Sequence, residues 1–260
     1  MNKILMLHGF LQSDKIFSGK TGGLRKALKK LGYELHYPCG TEVIPANDVG
    51  LEEDTDAEMF GWFVRNKDSF TEFEIKPKTI NYLREYIIKN GPFDGIIGFS
   101  QGAGLGGYLA TNLNGILNLT TEQQPLLKFF ISFSGFRLES KPYDGLYETN
   151  TITIPALHVL GELDEVVTED RVMRLYNSWP SDKRTLLKHA GSHFVPNSKP
   201  FVTQVCNWIR TIAENNVGPA TGSDLCSSIQ EEKEKGNKKD SANNQLDDDL
   251  MDMMDSIGKL

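Results

Sequence analysis

The sequence predicts an α/β fold, a mostly parallel six-stranded sheet doubly wound with helices on both faces, and three observations carry that reading. Short runs that are apolar at nearly every position, such as Ile4-Leu5-Met6-Leu7 and Phe129-Phe130-Ile131-Ser132-Phe133, suit strands covered on both sides. Segments with apolar residues at helical spacing fall between such runs along the body of the chain, the alternation that a parallel sheet requires. Finally, Gly98-Phe99-Ser100-Gln101-Gly102 joins an apolar strand to a small-residue helix through a serine flanked by glycines, the pattern of a nucleophile elbow.

Taken in order, Lys3–Leu7 is the first strand and ends at His8-Gly9-Phe10. Leu24, Ala27, Leu28 and Leu31 then repeat at helical spacing, with Arg25, Lys26, Lys29 and Lys30 on a solvated outer face and Gly32 closing the helix. Tyr33–Tyr37 is the second strand. Pro38–Phe73 breaks the rhythm and reads as a long loop with at most a short helix; its Trp62 and Phe63 either line an acyl pocket or pin the loop to the body. Pro77 opens a helix with Ile80, Leu83, Ile87 and Ile88 on one side, ended by Asn90-Gly91-Pro92.

The third strand leads into Ser100, and Ala103, Gly104, Gly106 and Gly107 keep the following helix slim, for close packing or for substrate space. Phe129–Phe133 and Ile154–Leu160 are the fourth and fifth strands, and the polar connection Gly135–Thr153 between them is expected over the rim of the site. Thr168 caps a helix with Val172, Met173, Leu175 and Tyr176 inside. Arg184–Lys188 is the sixth strand, and a final helix from Lys199-Pro200 spaces Phe201, Val202, Val205, Trp208, Ile209 and Ile212 for burial.

At 260 residues and 39% hydrophobic composition the chain can bury a substantial core. A formal charge of −7 argues against a nucleic-acid backbone or an anionic membrane as the main partner. That charge is uneven: from Glu214 onward there are 11 acidic and 5 basic residues, and the rest is nearly neutral. Residues 1–213 are expected to form one domain, and 214–260 an acidic, disordered tail too poor in apolar residues to offset the entropy of ordering. Within the tail Leu246, Leu250, Met253, Met254 and Ile257 recur at helical spacing, either as a helix that folds onto a protein partner or as a transient one without any. Cys39, Cys206 and Cys226 lie far apart without C-x-x-C spacing, which indicates neither a disulfide framework nor a zinc site. The apolar run after Met1-Asn2-Lys3 is too short for a signal segment, and no run approaches the ~20 residues of a membrane span. A cytoplasmic protein, with the nucleus also open to it, is expected.

Open α/β sheets hold ligands beyond the C-terminal ends of their strands. Ser100 follows the third strand, Asp164 the fifth and His193 the sixth, in the chain order Ser, Asp, His of an α/β hydrolase. A serine hydroxyl is protonated at neutral pH and needs a neutral imidazole to take its proton as it attacks a carbonyl, the part for His193. A carboxylate on the other ring nitrogen fixes the tautomer and stabilises the imidazolium, the part for Asp164. The backbone N–H groups of Gln101 and Phe10 are the candidate oxyanion donors, with Leu11 as second choice to Phe10. His189 competes for the base but reads as a packed or hydrogen-bonded strand-end residue; Glu162 and Glu165 compete with Asp164. His158 reads as a satisfied core residue, His36 as a surface one and His8 as structural. Five histidines without His-x-x-x-His pairing make no case for a metal, and no cofactor is expected.

Three stretches, Leu7-His8-Gly9-Phe10-Leu11-Gln12 with Lys15-Ile16-Phe17, the run Gly91-Pro92-Phe93-Asp94-Gly95 through Gly102, and Gly191-Ser192-His193-Phe194-Val195-Pro196-Asn197, resemble the fungal FSH family of serine hydrolases. That family is related to the ovarian cancer-associated gene 2 protein and to small fungal polyketide-releasing thioesterases. The resemblance runs from about Lys3 to Ile212 and implies an α/β hydrolase fold, with Ser100 as nucleophile, Asp164 as acid and His193 as base; the tail lies outside it. The expected activity is cleavage of small-molecule carboxylic esters or thioesters through an acyl-enzyme. A noncatalytic binding or scaffold protein on a hydrolase fold, with the acidic tail as its contact, is the alternative.

Overall fold

The structure, a computed structural model, describes residues 2–45, 59–65, 73–147 and 152–216. Strand β1 (Asn2–Leu7) is followed by helices α1 (Asp14–Lys20) and α2 (Gly22–Lys30) and by β2 (Tyr33–His36). Two small antiparallel ladders come next, β3 (Glu42–Ile44) with β4 (Met59–Gly61), and β5 (Val64–Arg65) with β6 (Phe73–Glu74). Helix α3 (Pro77–Asn90) leads to β7 (Gly95–Phe99), α4 (Gln101–Thr111), α5 (Leu113–Leu117) and β8 (Phe129–Phe133). The chain continues through α6 (Lys141–Tyr147), β9 (Ala156–Gly161), α7 (Glu169–Asn177), β10 (Arg184–His189) and α8 (Lys199–Asn216). Six of the strands form one parallel sheet in the order β10-β9-β8-β7-β1-β2.

Both faces of the sheet are covered, which is why its strands read as continuous apolar runs. Side chains alternate across it. Ile4, Met6, Ile97, Ile131, Leu157 and Val159 share one core with Leu24 and Leu28 of α2 and Val202, Val205 and Ile209 of α8. Leu5, Leu7, Ile96, Phe130 and Leu160 share the other with Leu83, Ile87, Leu105, Leu109, Leu113 and Leu175 from α3, α4, α5 and α7. Each such aliphatic or aromatic side chain contributes roughly 1.5–3 kcal/mol relative to exposure. Burial on two faces therefore fixes the register of β7, and with it the position of the residue that follows.

Several expectations are corrected. The stretch from Pro38 to Phe73, read as a loop with at most a short helix, carries β3, β4, β5 and β6 among its described residues; strands of two or three residues are too short to show alternation. Residues 46–58, with the acidic run, and 66–72 lie outside the described residues. On α3 the buried stripe is Thr79, Leu83 and Ile87 at four-residue spacing with Ile80 partly buried beside it, whereas Ile88, one residue round the helix from Ile87, is 41% exposed; the Thr79 hydroxyl donates inward to the Trp62 carbonyl at 3.1 Å. Among its described residues the Gly135–Thr153 connection is more than a polar rim: Phe136, Leu138, Tyr143 and Tyr147 are buried, and α6 lies against α4, while 148–151 lie outside the described residues. Thr168 takes the N-cap position of α7 without a side-chain cap bond. His36 is half-buried, edge-on to Phe93 with ring centres 5.2 Å apart, not a surface residue.

His158 is buried but not satisfied. Its two ring nitrogens find no hydrogen-bond partner among the described residues, and the ring is enclosed by Phe130, Tyr176 and Trp179. Burial, with the charge of Arg184, pushes it down to about 3, so it stays neutral in the folded protein near neutral pH. At the C-terminal side, α8 continues to Asn216, past the expected boundary at Ala213, and residues 217–260 of the expected tail lie outside the described residues.

Candidate active site

Ser100 stands at the joint of β7 and α4 with φ 51° and ψ −117°, a strained conformation for a non-glycine residue. Its N–H donates to the Phe133 carbonyl at 2.9 Å and its carbonyl accepts from Gly104 N–H at 2.9 Å, so sheet and helix hold the turn from both sides. Only glycine fits on either flank. A Cβ on Gly98 would lie 2.5 Å from the Gly102 carbonyl oxygen, and one on Gly102 would run into the carbonyls of Leu7 and His8.

The loops after β9 and β10 are tied together by Glu162 N–H to the His189 carbonyl at 2.8 Å and Leu163 N–H to the Gly191 carbonyl at 3.1 Å. That pairing brings Asp164 and His193 to the serine. His193 Nε2 lies 2.9 Å from Ser100 Oγ, and Nδ1 lies 2.8 Å from Asp164 Oδ2. All three are buried, Ser100 at 4%, Asp164 at 7% and His193 at 2% exposure. The His193 ring rests 4.8 Å from the ring of Phe99.

Asp164 Oδ1 accepts from the N–H groups of Val166 at 3.1 Å and Val167 at 2.8 Å. Burial disfavours its charge, but the hydrogen bond and charge of His193, the Val167 N–H and the Ser134 hydroxyl outweigh that and hold the carboxyl below its usual range. An ionised Asp164 accepts a hydrogen from Nδ1, which leaves Nε2 with a lone pair toward the Ser100 hydroxyl.

The loop after β1 is braced from several directions. Gly9 N–H donates to Gln12 Oε1 at 3.1 Å, and Leu11 adopts φ 59°. His8 Nε2 accepts from Gly40 N–H at 2.8 Å, which puts the ring hydrogen on Nδ1, where it donates to the Gly9 carbonyl at 2.7 Å. Burial pushes His8 down to about 4, opposed in part by the Gly9 bond and the Asp14 charge, so it is an uncharged brace. Trp62 donates from Nε1 to the His8 carbonyl at 2.9 Å, and Phe63 packs against Phe73 and Phe136. Both are fully buried, which selects the pinning role over the lining of an open pocket.

The structure thus gathers Ser100, Asp164 and His193, and puts Phe10 and Gln101 at the two turns that flank them. The Gln101 N–H opens α4 and has no acceptor within the helix. The competitors stand aside. Glu162 and Glu165 are exposed, and His189 Nδ1 accepts from Gly191 N–H at 3.2 Å. Three contributors escaped the sequence: Ser134 at φ 46°, which supports Asp164; Gln12, which shapes the first loop; and the Gln101 side chain. Gln101 Oε1 accepts from Trp62 N–H at 2.7 Å, and Nε2 donates to the Phe63 carbonyl at 2.9 Å. One signal was available, an amide side chain otherwise surrounded by glycine and alanine at the start of a helix.

A cavity of about 450 Å³ opens at the opposite end of the sheet, between Leu126, Ile154, Lys183 and Ile212, far from Ser100 along the strands. It has no nucleophile–base pair and is not the candidate site. Among the described residues no group of three or more His, Cys, Asp or Glu side chains is placed to hold a metal ion, and no helix is long and apolar enough to cross a membrane.

A family model described as serine hydrolase (FSH1) matches residues 1–205. Family of serine hydrolases 3 of Saccharomyces cerevisiae is 57% identical, across 99% of this chain and 98% of its own length. Esterase OVCA2 of Danio rerio is 32% identical across 75% of this chain and 90% of its own. The solved structure of Zea mays acyl-protein thioesterase 2 aligns with a TM-score of 0.53 and 18% identity, covering 81% of this chain and 93% of that one. The last likeness bears on the fold alone, and the fold is that of the α/β hydrolases expected from the sequence.

Proposed function

The chain belongs to the serine hydrolase (FSH1) family, and on that footing we propose that it cleaves carboxylic esters or thioesters of small molecules by a Ser100–His193–Asp164 triad. The observation that carries the reading is the position of one imidazole, 2.9 Å from the serine oxygen at Nε2 and 2.8 Å from a buried carboxylate at Nδ1. In this mechanism His193 Nε2 takes the Ser100 proton as Oγ bonds to the substrate carbonyl carbon. The carbonyl oxygen becomes an oxyanion facing the N–H groups of Gln101 and Phe10. Collapse breaks the bond to the leaving alkoxide or thiolate, which receives the proton from Nε2. Water then adds to the acyl carbon, giving a proton to His193 Nε2, and collapse of the second oxyanion breaks the bond to Ser100 Oγ, which takes that proton back as the acid leaves. Asp164, held ionised by its donors, keeps the hydrogen on Nδ1 and stabilises the imidazolium.

Labelling of the full-length protein with a fluorophosphonate probe, combined with rates on aryl esters and thioesters of graded acyl length, tests the proposal. Labelling confined to Ser100 and loss of turnover in Ser100→Ala are expected. Folded protein that neither labels at Ser100 nor turns over any substrate of the series would instead favour a noncatalytic binding role.

A further inference from the structure

Building on the triad reading, we propose that the Gln101 side chain is a positioning residue that clamps the 59–65 segment onto the elbow and thereby sets the Phe10 side of the oxyanion site. The amide pairs with main-chain groups of adjacent residues, accepting from Trp62 N–H and donating to the Phe63 carbonyl. Trp62 and Phe63 are fully buried, so these backbone groups have no recourse to solvent if the amide is removed.

From the clamp, the contacts run in a closed circuit back to the elbow. The clamped segment carries Gly61, where a Cβ would lie 3.1 Å from the Phe10 ring and 3.2 Å from Gln101 Oε1. Next to it, Phe60 N–H donates to the Gln12 carbonyl at 3.0 Å, and the Gln12 side chain accepts from Gly9 N–H. Gln101 is bonded covalently to Ser100, so one residue links the nucleophile, the helix-start N–H and the loop that presents the second donor. Oxyanion donors act on the transition state and not on bound substrate. Loosening the clamp therefore lowers kcat and leaves KM nearly unchanged.

The test uses the full chain, an aryl ester and the fluorophosphonate probe. Wild-type turnover with Ser100 labelling establishes the triad reading separately; its failure there would be visible before any Gln101 variant is made. Gln101→Met, folded by circular dichroism, is expected to lose about 10–100-fold in kcat with KM within about twofold, and to label proportionally more slowly. Gln101→Glu supplies a sharper readout. Its ionised carboxylate faces the Phe63 carbonyl, whereas the protonated acid donates to it and restores the clamp. The kcat of this variant relative to wild type at the same pH is expected to rise about tenfold or more from pH 8 to pH 5, while the ratio for Gln101→Met stays flat. Wild-type kcat and labelling rate in Gln101→Met, or a flat ratio for Gln101→Glu, overturns the proposal. Should neither variant fold, Gly61→Ala presses on both the Phe10 ring and Gln101 Oε1, the two groups that the clamp joins, and kcat equal to wild type overturns the proposal.

Discussion

The indole of Trp62 donates to the main-chain carbonyl of His8 at 2.9 Å, and the two rings lie 4.9 Å apart. The loop that ends β1 is thus roofed by a residue from a distant connection. Trp62→Phe keeps most of the ring but leaves a buried carbonyl without that donor, at a cost of about 1–3 kcal/mol. A urea unfolding midpoint equal to that of wild type would show that the carbonyl finds another partner.

Asp164→Asn preserves shape but removes the charge that keeps a hydrogen on His193 Nδ1. A fall in kcat of about 10⁴-fold is expected, with a far-ultraviolet dichroism spectrum unchanged. Retention of more than a tenth of wild-type kcat would remove Asp164 from the mechanism.

Ser134→Gly relieves a strained backbone at φ 46° while deleting a hydroxyl that supports the Asp164 carboxylate. Stability changes little because the two effects oppose each other. Turnover is expected to fall about tenfold, the equivalent of one charge-assisted hydrogen bond of ~1.5 kcal/mol. Steady-state rates indistinguishable from wild type would make Ser134 a bystander.

His8 and His158 titrate near 6.5 in the unfolded chain but at about 4 and about 3 in the folded one. Between those values the unfolded chain binds more protons, so their contribution is complete above pH ~7 and is lost as pH falls toward 4 for His8 and 3 for His158. At pH 5 each is expected to have removed about 2 kcal/mol. Urea midpoints measured from pH 7.5 to pH 5 should therefore drop steeply, and His158→Leu should flatten the slope. An identical slope in that variant would mean that the ring is already solvated.

The six sheet strands were legible because strands covered on two faces must be apolar throughout, and Ser100, Asp164 and His193 were legible because each closes one of those strands. What stayed hidden shares a physical cause. The ladders around Val43 and Phe60, and the seven-residue helix at Phe17, are too short for periodicity to announce them. The bonds of Gln101 to Trp62 and Phe63 span 39 and 38 residues and have no local signature. His158 misled for a different reason, since nothing in a strand pattern tells whether a buried ring nitrogen has a partner.

Because Gln101 grips an N–H and a C=O, the clamp is blind to side-chain identity. The rings of Trp62 and Phe63 add their own anchors, the indole to the His8 carbonyl and the phenyl against Phe73 and Phe136, but the clamp itself asks nothing of them. A combinatorial library confined to Phe60 and Val64, the partly buried positions of the segment, is therefore expected to leave the clamp and turnover in place, whereas changes at Met59 and Phe63 would disturb the core.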